Sequence, residues 1–238
     1  MSDWKKAVPL IALASAALAL LLFNVLEWVH LMPGVQAARE AVIIDSAFDN
    51  VVRVTVVIFA VVVAIILYTV VFFRAGPDQG EGADFDASPG KMVEVVWLAA
   101  SCVLTFGLAA YGSEEFLHLR HDSHAELDVQ VKAAQWSWEF FYPAQNVNAA
   151  ELILPKGKRA RIAITSEDVV HALWVPAFRL KQDALPGRVT TLYVTPTVTG
   201  EYDIVCAELC GLDHSVMRGK VLVVEPEEFE AKLKGEAW

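Results

Sequence analysis

Cysteine is scarce in this chain. Its 238 residues hold three, an odd number that excludes complete pairing. Positive charge is scarce as well. Nineteen lysines and arginines stand against 29 aspartates and glutamates, a formal net charge of −10. That balance argues against nucleic acid as a partner and in favour of a basic protein. Charge of either sign is missing from two long stretches, Ala7 to Leu26 and Val54 to Phe73, and a third, Val93 to Tyr111, carries only Glu94. Crossing a bilayer takes about 20 apolar residues in a helix, so three transmembrane helices are expected at about 7–26, 54–73 and 93–111. Cys102, inside the third, reads as a small apolar side chain. Hydrophobic residues make up 55% of the chain and crowd into its first half. The expected division is therefore a membrane anchor over 1–111 and a water-soluble domain over 112–238.

The first span has two readings. Lys5 and Lys6 form a basic flank and Val35-Gln36-Ala37 has the small-residue pattern of a cleavage site, as in a secretory leader. Its apolar run is longer than a leader core, which favours a retained signal-anchor helix. Lysines before the first span put the N-terminus in the cytoplasm by the positive-inside tendency. Three crossings then carry residues 112–238 to the other side. The loop from Ala75 to Lys91 would be cytoplasmic, polar and rich in turn-forming residues. Glu94, just inside the third span, needs water or protein around it or a route to the headgroups; Glu27 reads as an interfacial residue.

Beyond residue 112 the pattern changes. Asp128 to Ala134, Arg159 to Thr165, Val189 to Thr195, Tyr202 to Val205 and Lys220 to Val224 read as strands. Pro155-Lys156-Gly157, Pro186-Gly187 and Thr199-Gly200 supply turns, and Pro226 to Lys234 reads as a closing helix. Periodicity alone gives an all-β domain. Trp136, Trp138 and Phe140 would share one face if their segment is a strand.

The chemistry is concentrated in Cys206-Ala207-Glu208-Leu209-Cys210-Gly211-Leu212-Asp213-His214-Ser215-Val216-Met217. Two thiols, an imidazole and a thioether in one short loop are donors that favour copper over magnesium or calcium. His171 upstream can supply a second imidazole. The set holds one thiolate more than a mononuclear blue-copper site uses, and a pair of thiolates can bridge two ions that share an electron. Zinc could take two Cys and two His but would leave Met217 unused. A Cys206–Cys210 disulfide would leave His and Met unexplained. His30, His118, His121 and His124 match no motif.

The loop resembles the copper-binding loop of cytochrome c oxidase subunit II, with its Cys-x-Glu-x-Cys-Gly-x-x-His-x-x-Met pattern. The likeness extends to Asp168-Val169-Val170-His171, Trp174-Val175-Pro176, Lys181-Gln182-Asp183-Ala184-Leu185-Pro186-Gly187-Arg188 and Gln135-Trp136-Ser137-Trp138-Glu139-Phe140-Phe141-Tyr142. With two of the spans it covers the chain from about Ile43 onward. The resemblance implies a cupredoxin-like Greek-key β-barrel and a dinuclear copper (CuA) centre. Cys206 and Cys210 would bridge the ions, His171 and His214 would bind one each, and Met217 and the Glu208 backbone carbonyl would complete the set. It also implies a magnesium site at Glu208 shared with subunit I, with haem only in that partner. Trp136 would be the electron input point from cytochrome c, and Trp138 a packing residue. Glu94, in Glu94-Val95-Val96-Trp97, would stand at the entrance of a proton path. Asp183 and Arg188 belong to a segment that faces subunit I, where a water or proton exit is conceivable. Subunits I and III, cytochrome c and membrane lipid are the implied partners.

The implied setting is the inner membrane of a bacterial-type cell, with the copper domain periplasmic. From Gly112 onward the chain holds 19 acidic and 13 basic residues, a balance that would steer a basic donor. The competing readings are a related nitric or nitrous oxide reductase, a quinol oxidase subunit and a membrane-anchored copper carrier. The second lacks these ligands in its own family. The third holds copper in a more accessible way.

Overall fold

Apolar runs become helices here because a bilayer leaves the backbone no partner but itself. The computed structural model describes residues 4–29, 34–74, 90–120 and 124–235. Helix α1 spans Trp4–Val29, α2 Arg39–Phe72 and α3 Lys91–Arg120. All three are long and apolar enough to cross a membrane. Each runs past the expected span at one or both ends, because helical hydrogen bonding continues into the polar flanks. The clearest case is α2, whose 34 residues make a rod about 51 Å long against a hydrocarbon core of about 30 Å. Its first half carries Arg39, Glu40, Asp45, Asp49 and Arg53. Most large side chains on these helices, among them Ile66, Val96 and Phe106, are exposed, as lipid-facing residues would be. The expected polar loop, Ala75 to Lys91, lies outside the described residues apart from Gly90 and Lys91.

The chain forms two compact units, Met1–Pro33 with Ala47–Glu114, and Gly34–Ser46 with Glu115–Trp238. Gly34–Ser46 thus packs with the β unit, although sequence reading assigned all of 1–111 to the anchor. Ala37 N–H donates to Ala177 O at 2.9 Å, Arg39 N–H to Thr195 O at 3.0 Å, and Thr197 N–H to Ala37 O at 2.8 Å. Ala37, Ala38 and Ala41 are fully buried; their small side chains let the backbone approach this closely.

The second unit is a sandwich of two five-stranded sheets. One sheet contains β1 (Leu127–Ala134), β2 (Ser137–Tyr142), β3 (Val147–Ala149), β5 (Ala160–Ser166) and β8 (Thr190–Val194). The other contains β4 (Leu152–Pro155), β6 (His171–Val175), β7 (Leu180–Ala184), β9 (Gly200–Cys206) and β10 (Arg218–Val224). Their orders are β3-β2-β1-β5-β8 and β4-β10-β9-β6-β7. Both sheets are mixed, with β1 parallel to β5 and β10 parallel to β4. The expected all-β, cupredoxin-like domain is therefore present, its barrel flattened into two facing layers.

Alternation builds the core. In β1, Leu127, Val129, Val131 and Ala133 are buried while Asp128, Gln130 and Lys132 are exposed, as a strand with one solvated face requires. Phe140, Ile162 and Ile164 of the first sheet belong to one core cluster with Leu154, Leu173, Ile204 and Val221 of the second. Tyr142 ties the layers together. Its hydroxyl donates to Ile153 O at 2.9 Å and accepts from Ile153 N–H at 2.6 Å. Burial pushes this phenol well above its ordinary range, against the opposing pull of its bond to Ile153. The expected closing helix is a short α4, Phe229–Leu233, which buries Phe229 and Leu233.

Candidate metal centre

Strand pairing assembles the donors. Antiparallel β6 and β9 place Leu173 opposite Cys206. His171 lies two residues before Leu173, so both side chains share the buried face, and His171 is fully enclosed. The loop after β9 closes where Cys206 N–H donates to Met217 O at 3.1 Å. A 3-10 turn over His214–Val216 folds Met217 back, its N–H donating to Asp213 O at 3.1 Å.

The donor atoms converge. Single ligand atoms of His171, Cys206 and Cys210 all lie within 4.8 Å of one another. Cys206 Sγ is 3.7 Å from Cys210 Sγ and 3.9 Å from His171 Nδ1. Cys210 Sγ is 3.5 Å from His214 Nδ1 and 3.8 Å from Met217 Sδ. The Glu208 carbonyl oxygen lies 3.3 Å from Cys206 Sγ. Every residue of the expected ligand set is present in this cluster. The disulfide alternative fails: both thiols are free, and their separation far exceeds the roughly 2.05 Å of a bond. Cys206, Cys210 and Met217 are buried and His214 is half-buried. Burial, followed by the hydrogen bond and repulsion from Cys206, pushes the Cys210 thiol up to about 11. Soft donors, dry and clustered, suit a copper ion.

A second ring of residues holds the donors in place. His171 Nε2–H donates to Asp168 Oδ1 at 2.8 Å. Gln135 N–H donates to Asp168 Oδ2 at 2.7 Å, and the Gln135 amide donates to Cys210 O at 2.7 Å. Burial alone would raise the Asp168 carboxyl. The bonds from His171, Val169 N–H, Gln135 N–H and Ser166 outweigh it and hold the group well below the usual carboxylate range. Gly211 is in the left-handed region at φ 125°, and a Cβ there would lie 2.8 Å from Gln135 Nε2 and 3.2 Å from Trp136 Cζ2. Glycine therefore lets the Gln135 amide and the Trp136 indole lie directly on the donor loop.

Residues 110–225 match the family model of the cytochrome c oxidase subunit II periplasmic domain. Cytochrome c oxidase subunit 2 of Thermostichus vulcanus is 30% identical, over 82% of this chain and 75% of that protein. The chain belongs to the cytochrome c oxidase subunit II family. Heme-copper oxidase subunit 2 of Aeropyrum pernix is 32% identical over 71% of this chain and 79% of its own length. The crystal structure of the periplasmic domain of subunit II from Bradyrhizobium japonicum is 31% identical. It covers 48% of this chain and 94% of that one, with a TM-score of 0.46.

Against the subunit II pattern, Trp136 is out of its expected strand. It sits in the turn between β1 and β2, half-buried, because β2 starts only at Ser137. Trp138 is buried, its ring edge-on to His171 at 6.2 Å, the packing role expected of it. The donor loop itself presents Leu209, Leu212 and Val216 at 79%, 90% and 67% exposure. The Glu208 carboxylate pairs with Lys181 Nζ at 3.5 Å, which also faces Asp183 at 3.8 Å. Glu94 is exposed in the first turn of α3. His118 and His124 are exposed outside the cluster; His30 and His121 lie outside the described residues. Sequence reading missed the orienting role of Asp168, although its place three residues before His171 was the available signal.

Proposed function

We propose that this subunit II is the electron-accepting arm of a cytochrome c oxidase. In this reading Met1–Pro33 and Ala47–Glu114 anchor it, and Glu115–Trp238 with Gly34–Ser46 form a periplasmic copper domain, with the N-terminus cytoplasmic in a bacterial-type inner membrane. The observation that carries the reading is the convergence of two thiols, two imidazoles, one thioether and one carbonyl within a single buried cluster.

When bound, two copper ions supply a one-electron carrier that accepts from cytochrome c and donates to haem in subunit I, where oxygen is reduced and protons are pumped. Cys206 and Cys210 would bridge both ions, His171 and His214 would each hold one, and Met217 and the Glu208 carbonyl would complete the set. Donors drawn from a strand end and a closed loop move little, and a rigid ligand set keeps reorganisation small. Asp168 fixes the tautomer of His171, leaving Nδ1 as the donor atom. Trp136 offers a flat π-surface against the donor loop, suited to docking and electronic coupling with cytochrome c. Exposed Leu209, Leu212 and Val216 form an apolar rim of the kind that a partner covers, here subunit I or the donor. The Glu208 carboxylate is the candidate magnesium ligand, Glu94 the candidate proton-uptake residue, and subunit III a further partner.

The test is copper loading of the full chain in detergent, followed by metal counting and electron paramagnetic resonance. Two ions per chain with one delocalised unpaired electron are expected, and Cys206→Ser or Cys210→Ser should abolish that signal. One ion per chain, or a signal that survives both changes, would refute the assignment.

A further inference from the structure

Outside the donor cluster, two largely enclosed arginines pair with buried carboxylates from the start of α2. Arg179 Nε donates to Asp45 Oδ1 at 2.9 Å, with both side chains 9% exposed. Asp45 Oδ2 accepts from Gln36 Nε2 at 2.7 Å, and Arg179 Nη1 donates to Pro176 O at 2.7 Å. Arg159 Nη1 donates to Glu40 Oε1 at 2.9 Å, and Glu40 Oε2 accepts from Thr195 N–H at 3.0 Å. All of these residues belong to the second compact unit.

The two pairs serve different sheets. Arg159 directly precedes β5 and Thr195 directly follows β8, both in the sheet that carries no metal donor. Arg179 lies between β6 and β7 in the other sheet, just after the 3-10 turn Pro176–Phe178. That turn ends β6, whose first residue is His171 and whose neighbour β9 ends at Cys206. Arg179 also holds a left-handed backbone, φ 58°, a conformation uncommon outside glycine and asparagine. A buried ion pair adds little stability over apolar packing, but removing one partner is damaging, and its best-attested use is to fix one register.

We propose that Asp45 and Arg179 are positioning residues for the metal centre. Asp45 holds the guanidinium, the guanidinium holds Pro176 O, and together they fix the far end of β6. This keeps His171 Nδ1 at its distance from Cys206 Sγ. The proposal rests on the copper reading above. Glu40 and Arg159 form an equivalent clamp on the sheet that carries no donor and serve as the internal control.

The experiment compares Asp45→Asn with Glu40→Gln in the full detergent-solubilised chain after copper loading. Readouts are the paramagnetic resonance hyperfine pattern and the rate of copper loss to a chelator. Both variants orphan a buried arginine, so both should melt earlier. Only Asp45→Asn should alter the hyperfine pattern and release copper faster than the unmodified chain. If Asp45→Asn does not fold, the double variant Asp45→Asn with Arg179→Gln removes both charges and should show the same altered signal. A normal signal in the folded variant, or equal changes in the Asp45 and Glu40 variants, would overturn this proposal alone. Absence of the dinuclear signal from the unmodified chain would overturn the copper reading and this proposal with it.

Discussion

Asp168 and His171 are joined through Nε2, at 2.8 Å, so that the imidazole turns Nδ1 towards Cys206 Sγ. Four donors converge on this one carboxylate: His171, Gln135 N–H, Val169 N–H and the Ser166 hydroxyl. Asp168→Asn would direct an amide nitrogen at one of those N–H groups and remove the charge. Copper affinity should fall about 10–100-fold, measured by competition with a chelator. Unchanged affinity would show that His171 needs no orienting partner.

Gly211→Ala should disturb the same region from the loop side. Its φ of 125° is strained for alanine, and a methyl group 2.8 Å from Gln135 Nε2 would push that amide aside. Strain of this kind costs about 1–3 kcal/mol. It should appear as a lower Tm and as loss of the Gln135–Cys210 hydrogen bond, detectable by faster exchange of the Gln135 side-chain amide protons. A Tm equal to that of the unmodified chain would contradict this.

Trp136→Ala should leave copper content intact while slowing reduction by cytochrome c. Truncating a tryptophan hot spot typically costs about 2 kcal/mol of docking. Stopped-flow reduction at several donor concentrations would detect the change, and an unchanged rate would remove Trp136 from the docking surface.

Tyr142→Phe should destabilise the β unit without touching the centre. It leaves both Ile153 N–H and Ile153 C=O without the hydroxyl that each uses. A buried polar group left unsatisfied costs about 1–3 kcal/mol. Thermal unfolding should register the loss while the copper signal stays normal.

Glu94→Gln should slow proton uptake in the assembled oxidase and spare copper binding. Normal turnover in the variant would remove Glu94 from the proton path.

The donor loop was legible in sequence because its ligands are neighbours: Cys206, Cys210, His214 and Met217 span one turn-and-return of chain. His171 was legible as an available second imidazole, and the Asp168-Val169-Val170-His171 resemblance made it a specific ligand candidate. The spans were visible from uncharged runs, and β1, β5, β8, β9 and β10 from their apolar residues and bounding turns. Strand β4 escaped because all four of its residues are buried, which erases alternation. Strand β7 escaped because Lys181-Gln182-Asp183 looks like a loop. The clamps at Asp45 and Glu40 were invisible for a different reason. Their arginines lie 134 and 119 residues away along the chain, and nothing local marks a carboxylate as half of a buried pair.

The packing of Gly34–Ser46 onto the sandwich has a practical consequence for anyone wishing to excise a soluble derivative. Severing the polypeptide just ahead of Glu115 would remove the carboxylate partners of Arg159 and Arg179 together with the segment that packs over them. A derivative faithful to the native centre would graft residues 34–46 in front of β1, or replace Arg159 and Arg179 by apolar side chains of similar bulk.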